Sequence, residues 1–229
     1  MIVPTMTHAE VYRELEKDRP NVERWFEYRF LEMRRLALKS RRFPMMWWRE
    51  YRSPRHNHYI LFTVATSRKF DDHTAITTLA LRREERGYSV YVTRLTSLSH
   101  VRRMVCMQHV FDRYAERAGI DKQGIDLIKH MFSQQGGGSV VSNQSLAGRS
   151  VRYQGRLHRF MAIQDGILLG DVEDDIFIAR TFITYDMATG KQKTAFTKAQ
   201  SLLLNWEDEQ RLIKRLDDTP IGGGLTTKD

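Results

Sequence analysis

Cysteines and long apolar runs are both scarce in this chain. A single cysteine, Cys106, among 229 residues excludes an internal disulfide and is typical of a reducing compartment. No apolar run approaches the roughly 20 residues that a helix needs to cross a bilayer. The N-terminal residues lack the basic-then-apolar layout of a signal peptide. We therefore predict a cytoplasmic protein without a membrane partner.

The common motifs for cofactors and metals are also missing. The chain contains no GxxxxGK[ST] phosphate loop, no GxGxxG after a strand and no GxSxG nucleophile elbow. It has no CxxC or HExxH, and one cysteine excludes a thiolate zinc site. An acidic string could bind a divalent metal or could be a solvated turn, which is the commoner structure. Its members are Asp171, Glu173, Asp174 and Asp175. We expect no cofactor and no metal.

Positive charge, in contrast, is abundant. The chain has 37 Lys and Arg against 28 Asp and Glu, so its net charge is +9. Such a balance attracts polyanions and favours RNA or DNA as the partner. A membrane surface is less favoured because the cations are spread over helices and strands and not gathered in one tail. The arginines that we predict to contact nucleic acid are Arg34, Arg35, Arg41, Arg42, Arg102, Arg103 and Arg159.

The first hundred residues predict helices followed by strands. Thr7 and Glu10 have capping-box spacing and begin a helix over 7–18, which Pro20 is expected to end. A second helix, about 22–42, carries apolar residues around much of its circumference and should be buried along one side. Alternating β-branched and aromatic residues then predict three strands, at about 58–67, 74–84 and 88–96.

The second half predicts two helices and a four-strand meander. Helical patterns cover 101–118 and 121–134 and end before a triple glycine. Tight-turn pairs then separate the strands SVRYQ, RLHRFMAI, GILLGDV and DIFIARTFIT. The fold class is therefore α+β, with N-terminal helices and hairpins, a two-helix plus meander unit and a C-terminal helix. We divide the chain into 1–99, 100–187, a C-terminal helical region 188–218 with its helix at about 194–217, and a disordered tail 219–229.

One helix concentrates the residue types of phosphoryl chemistry. In HVFDRYAERAGI, His109, Arg113 and Arg117 lie four residues apart and share a face, and Glu116 can pair with Arg113. Histidine can transfer a proton near neutral pH, and arginine binds phosphate without a metal. The alternative is a solvated basic face with an ordinary Arg113–Glu116 ion pair.

This helix resembles a motif of the barnase–EndoU–colicin–RelE ribonuclease superfamily. The similarity covers the string HVFDRYAERAGIDKQGIDLIKHM and the meander after it, about residues 100–187. Val110 stands where the usual pattern has alanine, which concerns packing only. The residues that match the helix motif are His109, Arg113, Glu116 and Arg117. The residues on strands of the expected cleft are His158, Arg159, Arg180 and Thr181.

The resemblance implies a metal-independent endoribonuclease of toxin or defence-effector type. His109 or His158 would act as base and acid on a ribose 2′-hydroxyl, while arginines hold the phosphate. Those arginines would be Arg113, Arg117 and Arg180. A protein inhibitor or antitoxin would be a further partner of such an enzyme. The alternative is a non-catalytic module for nucleic-acid binding or protein interaction, in which His158 simply points to solvent.

Three further strings have two interpretations each. Arg55–His58 could contact phosphate or form a polar strand entry, and Arg94–His100 fits a ribonuclease spacing but begins at the end of a strand. Met45–Trp48 could be a stacking platform, a partner surface or core. Strand alternation also predicts one buried sheet face, which we expect the helix residues Phe111, Tyr114 and Ile120 to cover. It includes Phe160, Ala162, Ile167–Leu169, Ile176, Ile178 and Phe182.

Overall fold

The fold is α+β, as the sequence predicted. The computed structural model describes residues 1–43, 45–65, 68, 76–94, 103–134, 150–153, 156–188, 193 and 196–197. These residues form three α-helices, nine strands and a short 3₁₀ turn, Tyr185–Met187. Residues 193, 196 and 197 are helical, but most of the predicted C-terminal helix at 194–217 and the whole predicted tail 219–229 lie outside the described residues.

The first helix, α1 (His8–Lys39), runs through Pro20 without ending. The predicted capping box is present, because the Thr7 hydroxyl accepts from the backbone N–H of Glu10 and the Glu10 carboxylate accepts from that of Thr7. The prediction of two helices separated at Pro20 was wrong. A proline inside a helix costs about 3 kcal/mol. Burial of apolar side chains on both sides of Pro20, among them Leu15 and Val22, offsets that cost at about 1.5–3 kcal/mol each.

A single sheet contains all nine strands of the described residues, in the order β1-β2-β3-β4-β5-β9-β8-β7-β6. Neighbours are antiparallel except β5 and β9, which are parallel. The strands before the helical pair are β1 (Met45–Arg52), β2 (His58–Ala65), β3 (Ile76–Arg83), β4 (Tyr88–Arg94) and β5 (Arg103–Cys106). The strands after it are β6 (Ser150–Tyr153), β7 (Arg156–Ile163), β8 (Gly166–Glu173) and β9 (Ile176–Ile183).

The antiparallel meander β6–β9 follows the predicted order of strands. Two other strands were not predicted. Residues 103–106 form β5, where we expected the start of a helix, and α2 (Gln108–Ala118) begins only after it. Residues 45–52 form β1 at the sheet edge. The predicted domain boundary at 99/100 falls between β4 and β5, and the strands on both sides of it belong to one sheet.

Helices cover both faces of this sheet. Alternate residues of β4 enter different clusters: Val90 and Val92 pack with α2 and α3 (Gly124–Gln134), whereas Tyr91 packs with α1. The central strands are therefore buried on two sides, which explains their nearly continuous apolar sequence. We refer to these two sides as the α1 face and the α2 face.

The predicted face of the meander is buried, but α2 covers only two of its members, Leu168 and Phe182. Phe160, Ala162 and Ile167 form a separate cluster with Ala188 and Phe196. In addition to these two residues, α2 covers Met161, Ile163, Phe177 and Ala179, which were not predicted. Because both sides of these strands are apolar, alternation alone could not decide which side meets the helix. The covering role of Phe111 and Tyr114 on α2 is as predicted, since both belong to the same cluster.

A buried carboxylate fastens α1 to the sheet. Asp18 is fully buried, and it accepts four side-chain hydrogen bonds. The donors are Ser53 at 2.5 Å, Tyr59 at 2.8 Å, Asn57 at 2.9 Å and Asn21 at 3.1 Å. Burial raises the pKa of Asp18. The hydrogen bonds together lower this pKa by more than burial raises it, so the pKa lies below its ordinary value. The middle of α1 is thereby fixed against the β1–β2 turn.

Candidate nucleic-acid interface

The predicted residues of α2 form a solvent-exposed cluster. Arg113 donates from Nε to Nε2 of His109 at 3.2 Å and from Nη1 to Glu116 Oε2 at 2.5 Å. His109 and Glu116 are exposed, and the Arg113 side chain is 37% exposed. In this contact His109 Nε2 is the acceptor. The cluster therefore combines a proton acceptor with a guanidinium at the surface.

Arg117 contacts the sheet from the last turn of α2. Its guanidinium donates to the backbone carbonyl of Phe182 on β9. On the same side of α2, the Tyr114 ring meets the Phe182 ring edge-on at 5.1 Å, and the Tyr114 hydroxyl donates to Asp165 at 2.6 Å. Arg117 thus joins the last turn of α2 to the sheet, where a structural contact already uses one of its nitrogens.

Arg180 lies on the opposite side of the sheet from the α2 cluster. It has no partner in the β8–β9 register, because Leu169 pairs with Thr181 and Gly170 pairs with Ala179. Its guanidinium binds Asp171 at 2.6 Å and Glu173 at 2.9 Å. Asp171 and Glu173 pair with Ile178 and Ile176, which face α1. The structure therefore does not bring Arg180 to His109, and two carboxylates offset its charge.

The remaining predicted strand residues are only partly described. His158 lies opposite Asp171 in the β7–β8 register, and Arg159 lies opposite Gly170. The side chains of both, and the whole of Arg102, lie outside the described residues. Arg103 is exposed on β5 with its guanidinium 5.4 Å from the ring centre of Tyr12. Nothing described of these residues places a second catalytic or phosphate-binding side chain next to His109.

The acidic string takes part in the same arrangement. Asp171 and Glu173 bind Arg180, and the exposed Asp174 and Asp175 form the β8–β9 turn with φ of +48° and +60°. In the described part of the chain, no group of three or more His, Cys, Asp or Glu side chains is placed to bind a metal ion. The aspartates of this string therefore serve the turn and its ion pairs.

The Arg55–His58 string forms the turn that α1 holds. Arg55 binds the carboxylate of Glu14 through two nitrogens, at 2.8 and 2.7 Å. His58 contacts Glu50 at 3.1 Å, and burial lowers the pKa of His58. Because a buried carboxylate already pairs with Arg55, this string is a structural connection between α1 and β2.

The Met45–Trp48 string belongs to the edge strand β1; Trp47 lies in the core, and Trp48 is partly buried against it. Trp47 is 4% exposed and packs in the cluster under α1. Trp48 faces the other way and packs on Phe62, with ring centres 4.0 Å apart. The interpretation of this string as a stacking platform is therefore not supported, since the ring of Trp47 is inaccessible.

A second polar cluster, which the sequence did not reveal, surrounds the start of α1. His8 Nδ1 lies 2.9 Å from the hydroxyl of Tyr91. Burial lowers the pKa of His8, and the nearby Arg82 lowers it further; burial also raises the pKa of Tyr91 to about 12. The Arg82 guanidinium is itself paired with Glu84 at 2.7 Å. His8 and Tyr91 are 83 residues apart, so no local pattern could have predicted the contact.

Among the described residues, the last part of α1 and the residues just after it carry a set of cations without carboxylate partners. Residues 33–43 contain five Lys and Arg and no acid. The fold adds Arg68, whose Nε donates to the carbonyl of Ser40 at 3.1 Å. We call this set the α1 basic surface; its members are Arg34, Arg35, Lys39, Arg41, Arg42 and Arg68, and all are exposed. None of them pairs with a carboxylate among the described residues.

Apolar side chains are exposed beside these cations. Tyr28 is 74% exposed, and Leu31 and Leu38 are each 55% exposed. The buried side of the same helix carries Phe26 and Met33. We predicted burial along one side, and the structure shows in addition that an aromatic residue and two leucines lie on the outer side. Large exposed apolar residues next to unpaired cations are typical of an interaction surface.

Neither a membrane-spanning helix nor a related protein was found for this chain, as far as its described residues and the comparisons extend. No helix in the described residues is both long enough and apolar enough to cross a membrane. Searches against protein-family models, curated proteins and solved structures found no match to this chain.

Proposed function

We propose that this protein is an RNA-binding module and that the α1 basic surface is its binding site. The observation that carries the proposal is the absence of carboxylate partners for these six exposed cations among the described residues. Cations that lack an internal partner attract phosphate groups and release counterions when they bind them. An exposed tyrosine and two leucines beside them add contacts that a base can use.

Arginines earlier on α1 provide the contrast. Arg19 lies between Glu16 at 3.2 Å and Glu23 at 3.4 Å. Arg29 pairs with Glu32 at 3.1 Å. The first part of the helix is therefore close to neutral, whereas the charge of its last part is uncompensated. This asymmetry locates the positive potential at one end of α1.

A charge-matched pair of variants tests this location. The site variant changes Arg34, Arg35, Arg41 and Arg42 to Gln. Each contacted phosphate of a single strand contributes about 0.7 to the slope of log affinity against log salt. Loss of four contacts should therefore weaken RNA binding on the order of 500-fold at 0.1 M salt. Affinity for a fluorescent 20-nucleotide RNA would be measured by anisotropy.

The control variant removes the same charge elsewhere. It changes four exposed arginines to Gln, namely Arg13, Arg52, Arg83 and Arg86. Its net charge equals that of the site variant, so general electrostatic attraction falls equally in both. We expect a loss of less than about tenfold. Equal losses in the two variants would show that the α1 basic surface is not the site.

A second candidate function is metal-independent endoribonuclease activity of toxin or defence-effector type. The contact between Arg113 and His109 favours it, because a neutral histidine could take the proton of a ribose 2′-hydroxyl. The 2′-oxygen would then attack the adjacent phosphorus, and Arg113 would stabilise the charge on the phosphate oxygens. The leaving 5′-oxygen would take a proton from solvent water, because His158 pairs in register with Asp171 on the α1 face and not beside His109.

Incubation of the protein with total RNA in EDTA tests this candidate. Cleavage by the wild-type protein that is lost in both His109→Ala and Arg113→Ala would support it. Asp112→Ala, an exposed change on the same helix, serves as the control and should retain cleavage. Intact RNA after incubation with the wild-type protein would exclude the nuclease and leave the binding proposal untouched.

A further inference from the structure

A series of rings leads from the core to the exposed side of α1. The rings of Tyr59 and Tyr51 lie 6.2 Å apart, and those of Tyr51 and Trp25 lie 4.7 Å apart, each pair with an interplanar angle of 25°. The guanidinium of Arg29 follows, 5.7 Å from the Trp25 ring centre and 5.5 Å from that of Tyr28. We call these five residues the aromatic ladder.

The ladder is fixed at its inner end and open at its outer end. Tyr59 is 2% exposed and donates its hydroxyl to the buried Asp18 at 2.8 Å. Arg29, near the outer end, is also held by Glu32 at 3.1 Å. Tyr28 is 74% exposed. Its ring is therefore supported from within, and a ligand that stacks on it need not pay to order it.

Tyr28 also lies in line with the α1 basic surface. Positions 28, 31, 35 and 38 are three or four residues apart, so Tyr28, Leu31, Arg35 and Leu38 share one side of the helix. The rise from residue 28 to residue 35 is about 10 Å, at about 1.5 Å per residue. A strand with one base on Tyr28 could therefore reach Arg35 with a phosphate one or two nucleotides away.

We infer that this surface binds unpaired nucleic acid, with one base stacked on Tyr28 and the backbone following the arginines towards residue 42. The inference rests on the proposed function and narrows its substrate class to single strands. In a duplex the bases are stacked on one another and offer only their edges, so a protein ring cannot stack on them. Cations along a backbone path beside an exposed aromatic ring are typical of single-strand binding.

Three proteins and two RNAs test the inference. Tyr28→Leu removes the π face but keeps an apolar side chain, and Tyr28→Phe keeps the ring. Each would be titrated with an unstructured 12-nucleotide RNA and with a 12-base-pair RNA duplex. Thermal melting checks that the fold is intact, which we expect because the side chain is mostly exposed.

The proposed stacking contact predicts how RNA affinity differs among the three proteins. Tyr28→Leu should bind the single strand roughly 5-fold to 100-fold more weakly than wild type. Tyr28→Phe should stay within about twofold of wild type, and duplex affinity should be the same for all three proteins, since stacking needs an unpaired base. The slope of affinity against salt should not change, because neither substitution removes a charge.

The outcomes separate this inference from the proposed function. Single-strand affinity that is unchanged in Tyr28→Leu but lost in the arginine site variant would overturn the inference and keep the proposed function. Absence of RNA binding by the wild-type protein would overturn both. Unchanged RNA affinity together with loss of self-association in Tyr28→Leu would instead assign this side of α1 to a protein contact.

Discussion

The ion pair between Glu14 and Arg55 predicts how stability depends on pH. Glu14 lies on α1 with a side chain that is 8% exposed, and two nitrogens of Arg55 bind its carboxylate. These hydrogen bonds from Arg55, opposed by burial and supported by the amino group of Met1, lower the pKa of Glu14 from 4.5 to about 2. Glu14→Gln removes the charge and keeps the size of the side chain.

The pKa gives the magnitude and the pH range of the effect. A fall from 4.5 to about 2 corresponds to at most about 3.5 kcal/mol, at about 1.4 kcal/mol for each pKa unit. Solvent screening of the partner reduces it, since Arg55 is 39% exposed, and we expect about 1–2 kcal/mol. Because the folded pKa is below the unfolded one, the contribution is complete above pH 4.5 and is lost as the pH falls towards 2.

Urea unfolding followed by tryptophan fluorescence, at several pH values from 7 to 2.5, measures this contribution. The free energies of unfolding of wild type and Glu14→Gln should differ by about 1–2 kcal/mol at pH 7 and converge below pH 4.5. The control Glu16→Gln removes an exposed pair with Arg19 and should change stability by less than about 0.5 kcal/mol. A difference for Glu14→Gln that is the same at pH 7 and pH 3 would refute the reasoning.

Two further substitutions test how the fold is held. Asp18→Ala should lower the free energy of unfolding by about 3–5 kcal/mol in the same urea assay, because it leaves buried donors without their acceptor; a loss under about 1 kcal/mol would contradict the network. Gly170→Ala should cost at least about 2 kcal/mol, since an added Cβ would lie 1.9 Å from the carbonyl oxygen of Ile178. Gly87→Ala is its control, as its Cβ would meet only the flexible Gln108 side chain at 3.3 Å, and equal costs would show that the close approach is unimportant.

Local patterns predicted the parts of the fold that local physics determines. The meander has clear turn pairs between its strands, and the capping box at Thr7 depends on residues three apart. Pro20 misled the prediction because its local cost is offset by burial against strands far along the chain. Residues 103–106 were mistaken for helix because Met104, Val105 and Cys106 are all buried, and such an apolar run has no period that distinguishes a strand from a helix.

The candidate site was predictable only in part, for a similar reason. Helical spacing correctly joined His109, Arg113 and Glu116, and composition pointed to Arg34, Arg35, Arg41 and Arg42. Spacing could not show that Arg180 would meet two carboxylates on the α1 face. It also could not show that Arg68 would join the α1 basic surface or that Tyr28 would end a ladder beginning at Tyr59. Each of these contacts depends on residues distant in the sequence.

The salt dependence of RNA binding tests the central claim most directly. Affinity of the wild-type protein for a single-stranded 20-nucleotide RNA would be measured between 50 and 400 mM salt. Contacts from four to six cations predict a slope of log affinity against log salt of about −3 to −4. The variant with Gln at 34, 35, 41 and 42 should have a slope smaller in magnitude by about 3, whereas the charge-matched control should change it by less than about 1. Equal slopes in both variants, or no binding by the wild-type protein at 50 mM salt, would contradict the account.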